Sequence, residues 1–199
     1  MVPPMRRTMT LALLVLSLLL PLGSAGLLDS ASARPVPVGE RSHHPGLLIT
    51  YRGWGKLHRG MNVKQAQRTG MVSHQLGHCA PGYLLTKPYQ TRGYIYWGMG
   101  PKPWKVRQII VTGRRDHTAH GSHPGTRLGQ LRRQHPNLSK VVSAGSLRGV
   151  HQKRDLWLAW MQEPYGTITF QFPYGLKPTR TTRLDTIIVA NKPAYYYGC

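Results

Sequence analysis

Residues 166–172 spell Gly-Thr-Ile-Thr-Phe-Gln-Phe, a period of two that an extended strand satisfies and a helix does not. Ile168, Phe170 and Phe172 fall on one face, and Thr167, Thr169 and Gln171 fall on the other. This pattern predicts a half-buried antiparallel strand, with one face on a core and one face wet. The turn Pro173-Tyr174-Gly175 and the stretch Lys177-Pro178-Thr179 then lead into a second β-rich run, Leu184 to Ala190. Together they predict a hairpin with a wide loop. Tyr94 to Trp97, Val106 to Thr112 and Leu156 to Met161 are the other clear strands, separated by glycine and proline turns. Trp97, Trp104, Trp157 and Trp160 lie in or beside these runs and are expected as sheet core rather than as an exposed binding surface.

Two short helical patterns interrupt the strands and share a layout. Gly60, Val63 and Ala66 match Gly125, Leu128 and Leu131 at a constant offset of 65. In each, a glycine permits the turn, Asn62 or Thr126 can cap the first free amides, and two apolar residues three apart face the sheet. The expected architecture is α+β: an antiparallel sheet with short helices, built from two tandem helix-plus-meander units, residues 47–112 and 113–199.

The N-terminus reads as an export signal. Arg6 and Arg7 precede an apolar run from Leu11 to Leu20, and small residues follow as far as Ala33, with Ala25 as a competing cleavage site. Residues 1–33 are assigned to the signal, 34–46 to a flexible leader rich in proline and glycine, and 47–199 to one secreted domain. No second apolar run reaches the roughly 20 residues that a membrane helix needs. An uncleaved anchor is the competing reading.

The chain carries 27 Lys and Arg against 6 Asp and Glu, and eighteen of the 27 are arginine. Without residues 1–33 the balance is 25 basic against 5 acidic. Arginine forks onto carboxylates and phosphates, so the expected partner is an acidic protein or an anionic polymer of the cell wall. A merely solvated basic face is the plain alternative. Cys79 and Cys199 are the two cysteines. In an exported chain they are expected to form a disulfide, worth roughly 4–5 kcal/mol in the chain-entropy model. Free thiols or an intermolecular pair are the other possibilities.

The run Arg59-Gly60-Met61-Asn62-Val63-Lys64-Gln65-Ala66-Gln67 resembles the helix start of the repeat in β-lactamase inhibitory protein and in the small outer-membrane assembly lipoproteins. The order of that helix, Cys79 with Gly82-Tyr83, the strand Lys105 to Gly113, then Gly121 to Pro136, is similar to a group of uncharacterised secreted actinobacterial proteins. The resemblance covers residues 47–199. It implies an antiparallel sheet with short helices on one face, no known catalysis, and binding of other proteins through a concave sheet surface. The chain departs from the inhibitory protein in its strong basic charge and in lacking the two-disulfide arrangement, so inhibition of a β-lactamase does not carry over.

Several residues invite a chemical reading. His117, His120 and His123 sit at every third position before Pro124-Gly125, with Asp116 as a further candidate metal ligand. Gly121 and Pro124 argue against a regular helix through them, so a solvated connecting loop is favoured and no metal is assigned. His74, His78 and Cys79 form a second cluster, which loses both metal and nucleophile roles if Cys79 is bridged. Asp155 and Asp185 stand beside basic runs and read as ordinary ion pairs. No nucleophile elbow or phosphate-cradling loop is present. Arg114, Arg115, Arg127, Arg133, Arg148 and Arg154 are the expected binding residues, with Arg127 and Arg133 pointing away from Leu128 and Leu131. Aromatic and basic residues interleave at Tyr89 to Tyr94 and at Trp104 to Arg107, which would suit stacking on bases or sugars.

The sequence thus favours a secreted, non-enzymatic basic binding protein without a cofactor. It would use the solvent face of its sheet and its arginine-bearing loops. The competing readings are a metal- or thiol-dependent extracellular enzyme and an extracellular nucleic-acid binder.

Overall fold

The computed structural model describes residues 45–76, 83–98, 104–147 and 155–195, all within the compact unit Ser42–Cys199. The export segment, the leader up to residue 44, His78, Cys79, Cys199, Arg148 and Arg154 lie outside the described residues.

In chain order the first half forms β1 (Leu48–Ile49), β2 (Gly53–Trp54), β3 (Leu57–His58), α1 (Val63–Arg68), β4 (Val72–Leu76), β5 (Tyr83–Leu85), α2 (Lys87–Gln90), β6 (Gly93–Trp97) and β7 (Val106–Val111). The second half forms β8 (His117–Thr118), α3 (Leu128–Gln134), β9 (Val142–Ser143), β10 (Trp157–Glu163), β11 (Gly166–Phe172) and β12 (Thr186–Ala190). Six strands make the main sheet in the order β6-β7-β12-β11-β10-β9, with every neighbouring pair antiparallel. A smaller sheet, β3-β2-β1-β8, is mixed, because β1 pairs with β8 in parallel. The purely antiparallel expectation therefore holds for the main sheet and fails for the small one. The architecture is a set of mixed sheets with few short helices.

The predicted hairpin of β11 and β12 forms, with Phe170 opposite Ile187 and Ile168 opposite Val189. Leu184 belongs to the strand expectation but leaves the sheet, because its N–H donates to the Thr126 carbonyl at 2.8 Å. One face of the sheet carries Ile109, Val111, Ile168, Phe170, Ile187 and Val189, and Ala66 of α1 with Leu128 and Leu131 of α3 joins the same core cluster. α3 thus buries both of its expected apolar residues, whereas α1 buries Ala66 and leaves Val63 half-buried against the same cluster.

The second face of β11 corrects the half-buried reading. Every residue of β11 and of β12 is buried, Thr167, Thr169 and Gln171 included. Ile110, Ile188, Ala190 and Ala194 form a separate cluster on this face with Tyr96 against it. The Ala194 N–H donates to Thr169 Oγ1 at 3.2 Å, so a distant segment supplies both the cover and the hydrogen bond that a buried threonine requires. The centre of the sheet consequently has no wet face to offer a partner. Of the four tryptophans expected as sheet core, Trp97 is buried and donates from Nε1 to the Tyr83 carbonyl, while Trp104, Trp157 and Trp160 are half-buried against the core clusters.

α1 starts as expected. Asn62 Oδ1 accepts from the Gln65 N–H, and the Asn62 N–H donates to Gln65 Oε1, both at 2.9 Å, a reciprocal capping box. Asn62→Ala removes the Oδ1 acceptor of the Gln65 N–H while keeping the backbone N–H that donates to Gln65 Oε1, and a loss of about 1 kcal/mol in urea-unfolding free energy is expected. An unchanged midpoint would show the cap to be dispensable. Thr126 does not play the matching role in α3. Its Oγ1 accepts from the His123 N–H at 3.0 Å, and the N-cap position falls to Arg127, which makes no side-chain cap bond. The first amides of α3 instead donate to a neighbouring segment, Leu128 to the Thr182 carbonyl and Gly129 to the Arg180 carbonyl, each at 2.9 Å.

Candidate anion-binding site

The histidine-rich loop disperses its imidazoles. His117 lies half-buried on β8 with Nδ1 3.1 Å from the Arg115 carbonyl, and His123 turns Nδ1 to the Pro124 carbonyl at 2.8 Å. His120 stacks edge-on against His135, with ring centroids 5.0 Å apart. Among the described residues no group of three or more His, Cys, Asp or Glu is gathered. What the loop does build is a packed turn. Ser122 is buried, and its Oγ lies 2.7 Å from Gln134 Oε1 and 2.8 Å from His135 Nε2. Those contacts fasten the loop to the end of α3. His135 packs on Phe170 at 5.5 Å, and burial followed by the nearby His120 lowers its pKa to about 4. The sequence presents His135 as part of a basic run beside Arg132 and Arg133, yet it behaves as a neutral core residue.

Asp116 is not available as a ligand. It is fully buried, accepts the Leu47 N–H at Oδ1 at 2.7 Å, and forms a bidentate ion pair with Arg92, whose Nε donates to Oδ2 at 3.1 Å and whose Nη2 donates to Oδ1. The Arg92 guanidinium sits 5.8 Å from the Trp54 ring and 5.7 Å from the Tyr89 ring. The basic–aromatic interleaving of residues 89–94 is thus in large part an internal stack, not a base-binding platform. Asp185 also departs from expectation. Among the described residues Arg92–Asp116 is the one ion pair, and the exposed Asp185 accepts from the Thr186 hydroxyl.

Above the Arg92–Asp116 pair opens a concavity of about 380 Å³ lined by Lys87, Thr91, Arg92, Arg114 and Arg115. β6 and β7 position it. The Thr112 and Gly113 N–H groups donate to the Arg92 carbonyl, at 2.9 and 3.0 Å, which brings the start of β6 beside the turn that carries Arg114 and Arg115. Lys87, Arg114 and Arg115 are exposed, and none has a carboxylate partner among the described residues. Two expected binding residues therefore meet in one place, joined by Lys87 from α2, which sequence reading did not single out. Arg127 and Arg133 are exposed, as their position opposite Leu128 and Leu131 requires.

A second basic concavity, of about 270 Å³, is lined by Arg59, Lys105 and Arg107. Its Arg59 is already committed, donating to the Tyr51 and Tyr165 carbonyls and to Asn191 Oδ1. The first concavity is therefore the stronger site for an external anion. The fold and this site together define a basic mixed-sheet α+β domain with an arginine-lined concavity beside its main sheet. Compared with protein families, with curated proteins and with solved structures, the chain has no significant match.

Proposed function

We propose that this chain is a secreted, non-enzymatic binding protein that holds an anionic partner, an acidic protein surface or a cell-wall polyanion, on its arginine-bearing loops. The observation that carries the reading is the concavity of Lys87, Arg114 and Arg115, three exposed cations with no carboxylate partner among the described residues. In a chain with a formal charge of +21, such a site concentrates a field that is not spent internally. A Cys79–Cys199 bridge would close the domain.

The proposal includes the duplicated unit that the resemblance to the inhibitory-protein repeat implies. Support comes from matching backbone bonds. Gly60 and Gly125 both have positive φ, 82° and 101°, and α1 and α3 start at Val63 and Leu128, 65 residues apart. The Gly60 N–H donates to the Val106 carbonyl as the Gly125 N–H does to that of Leu184. The Val106 N–H returns to Met61 as the Leu184 N–H does to Thr126. In both places the glycine turn ahead of the helix is thus bonded to a later segment of the chain, at Val106 for α1 and at Leu184 for α3.

The test is chromatography of the purified domain on immobilised polyglutamate and on polyphosphate. Retention well above 150 mM salt, falling linearly on a log–log plot, is expected on at least one of them. Flow-through on both at 50 mM salt would sink the reading.

A further inference from the structure

We infer that the concavity is one end of a continuous cationic strip that binds a linear polyanion charged along its backbone, an inference that rests on the reading above and narrows it. Residues 125–129 run antiparallel to residues 180–184 through four backbone bonds. Gly125 donates to Leu184 at 2.7 Å and Leu184 to Thr126 at 2.8 Å, while Leu128 donates to Thr182 and Gly129 to Arg180, both at 2.9 Å. This pairing sets Arg127 directly opposite Arg183. Arg183 Nη1 also donates to the Gly125 carbonyl at 3.1 Å. The Arg114 side chain rests on the same glycine, its Cδ and Nε 3.9 Å from where a β-carbon would stand. Arg114 in turn lines the concavity with Lys87 and Arg115. Five cations from four separate segments thereby adjoin one another, and the exposed Asp185 follows at the end of the strip.

The arrangement costs the fold something. Like charges directly opposite each other across a strand pair repel. Arg127 also occupies the N-cap of α3, where a cation opposes the helix dipole and where α1 has the capping Asn62. Among the described residues no side-chain bond holds it there, and the carbonyls of Thr182 and Arg180 already receive the first amides of α3. Local rules broken without an internal gain mark a surface kept for a ligand.

The strip also lacks what a folded acidic protein would grip. Interfaces between proteins rely on buried aromatic and apolar anchors. Among the described residues the exposed large hydrophobics are Leu48, Leu76, Leu84, Tyr94, Tyr165, Tyr174 and Leu176, and none falls within residues 87–92, 113–130 or 180–184. Without an exposed aromatic in those segments there is no platform for stacking bases either. An extended chain whose charges repeat along its backbone fits what remains, and phosphodiester and polycarboxylate polymers share that chemistry.

The experiment compares long-chain inorganic polyphosphate, polyglutamate and inorganic triphosphate as ligands for the full mature chain. The polymers separate the two sources of charge, and triphosphate measures the concavity alone. Long polymer is expected to bind at least tenfold more tightly than triphosphate. Arg114→Gln/Arg127→Asn/Arg183→Gln should lower the slope of log K against log salt by about two, whereas Lys56→Gln/Lys64→Gln/Arg68→Gln, with the same change in charge, should leave it nearly unchanged. Arg127→Asn alone guards against misfolding: it should weaken polymer binding without lowering the melting temperature. Equal losses in the two triple variants, or triphosphate binding as tightly as polymer, would overturn the strip and leave the anion-binding reading standing. So would binding to a folded acidic protein in preference to every polymer. Absence of any salt-dependent binding by the wild type would remove both.

Discussion

Asp116→Ala is expected to cost about 3–5 kcal/mol of unfolding free energy, the loss that follows when one partner of a buried ion pair is removed. The carboxylate ties its own turn to two other parts of the chain. It accepts the N–H of Leu47 just ahead of β1 and holds the Arg92 guanidinium at the start of β6, from a turn that the Asp116 backbone N–H closes onto the Gly113 carbonyl at 3.1 Å. Alanine leaves a guanidinium only 14% exposed without its carboxylate and a backbone N–H without its acceptor. The site has no slack for rearrangement: a β-carbon on Gly113 would stand 2.5 Å from Asp116 Oδ2. For a domain of this size the melting temperature should fall by roughly 10 °C. Asp116→Asn keeps an acceptor for Leu47 and should lose less, while Arg92→Gln in the Asp116→Asn background should add little, since the charge pair is already gone. Urea denaturation of the wild type, Asp116→Asn, Arg92→Gln and the double variant closes this cycle. A loss below about 1 kcal/mol for Asp116→Ala would mean that the pair is effectively solvated.

The history of Asp116 shows where sequence reading stops. Its neighbours in the chain are histidines, so local chemistry suggests a metal ligand. Its actual partner lies 24 residues away, in a stretch whose tyrosines suggest a stacking surface. Strands β6, β7, β10, β11 and β12 were legible because a period of two and runs of branched residues are local signals, and α1 was legible because Gly60, the cap Asn62 and the apolar pair Val63 and Ala66 make a local pattern, to which the structure adds Gln65 as the return half of a capping box. The burial of Thr169 was not, because the residues that cover it are Ile188 and Ala194, brought there by the fold. The candidate site was half legible. Arg114 and Arg115 are adjacent in sequence and stay together, but Lys87 and Arg183 reach them only through backbone pairing that no single run encodes. His135 was hidden in the opposite way. Its basic neighbours advertise a solvated face, while the register of α3 turns it inward onto Phe170 and Ser122.

That burial makes His135 the basis of a strong pH dependence. Its pKa is about 4 in the folded protein against 6.5 for the free side chain, first because burial penalises the charged form and second because His120 lies beside it. The unfolded chain therefore binds more protons between these two values, so stability is fully present above about pH 6.5 and is lost as the pH falls towards 4. The groups around the ring offer a proton no compensation: His120 adds a like charge, Phe170 is apolar, and Ser122 and Gln134 are neutral. A shift of this size corresponds to about 3 kcal/mol, taken from the urea-unfolding free energy between pH 7 and pH 4. The difference between the wild type and His135→Gln isolates the effect, because the other histidines and all carboxylates are common to both proteins. The variant should be less stable than the wild type at pH 7, where it loses ring packing, and should close that gap as the solution is acidified. His120→Ala, which removes the second cause alone, should raise the folded pKa, so that the loss still begins near pH 6.5 but ends at a higher pH and is smaller in total. Parallel stability profiles for wild type and His135→Gln across pH 4–7 would show that the imidazole accepts its proton without disturbing the loop, and would remove the coupling between the histidine turn and the core.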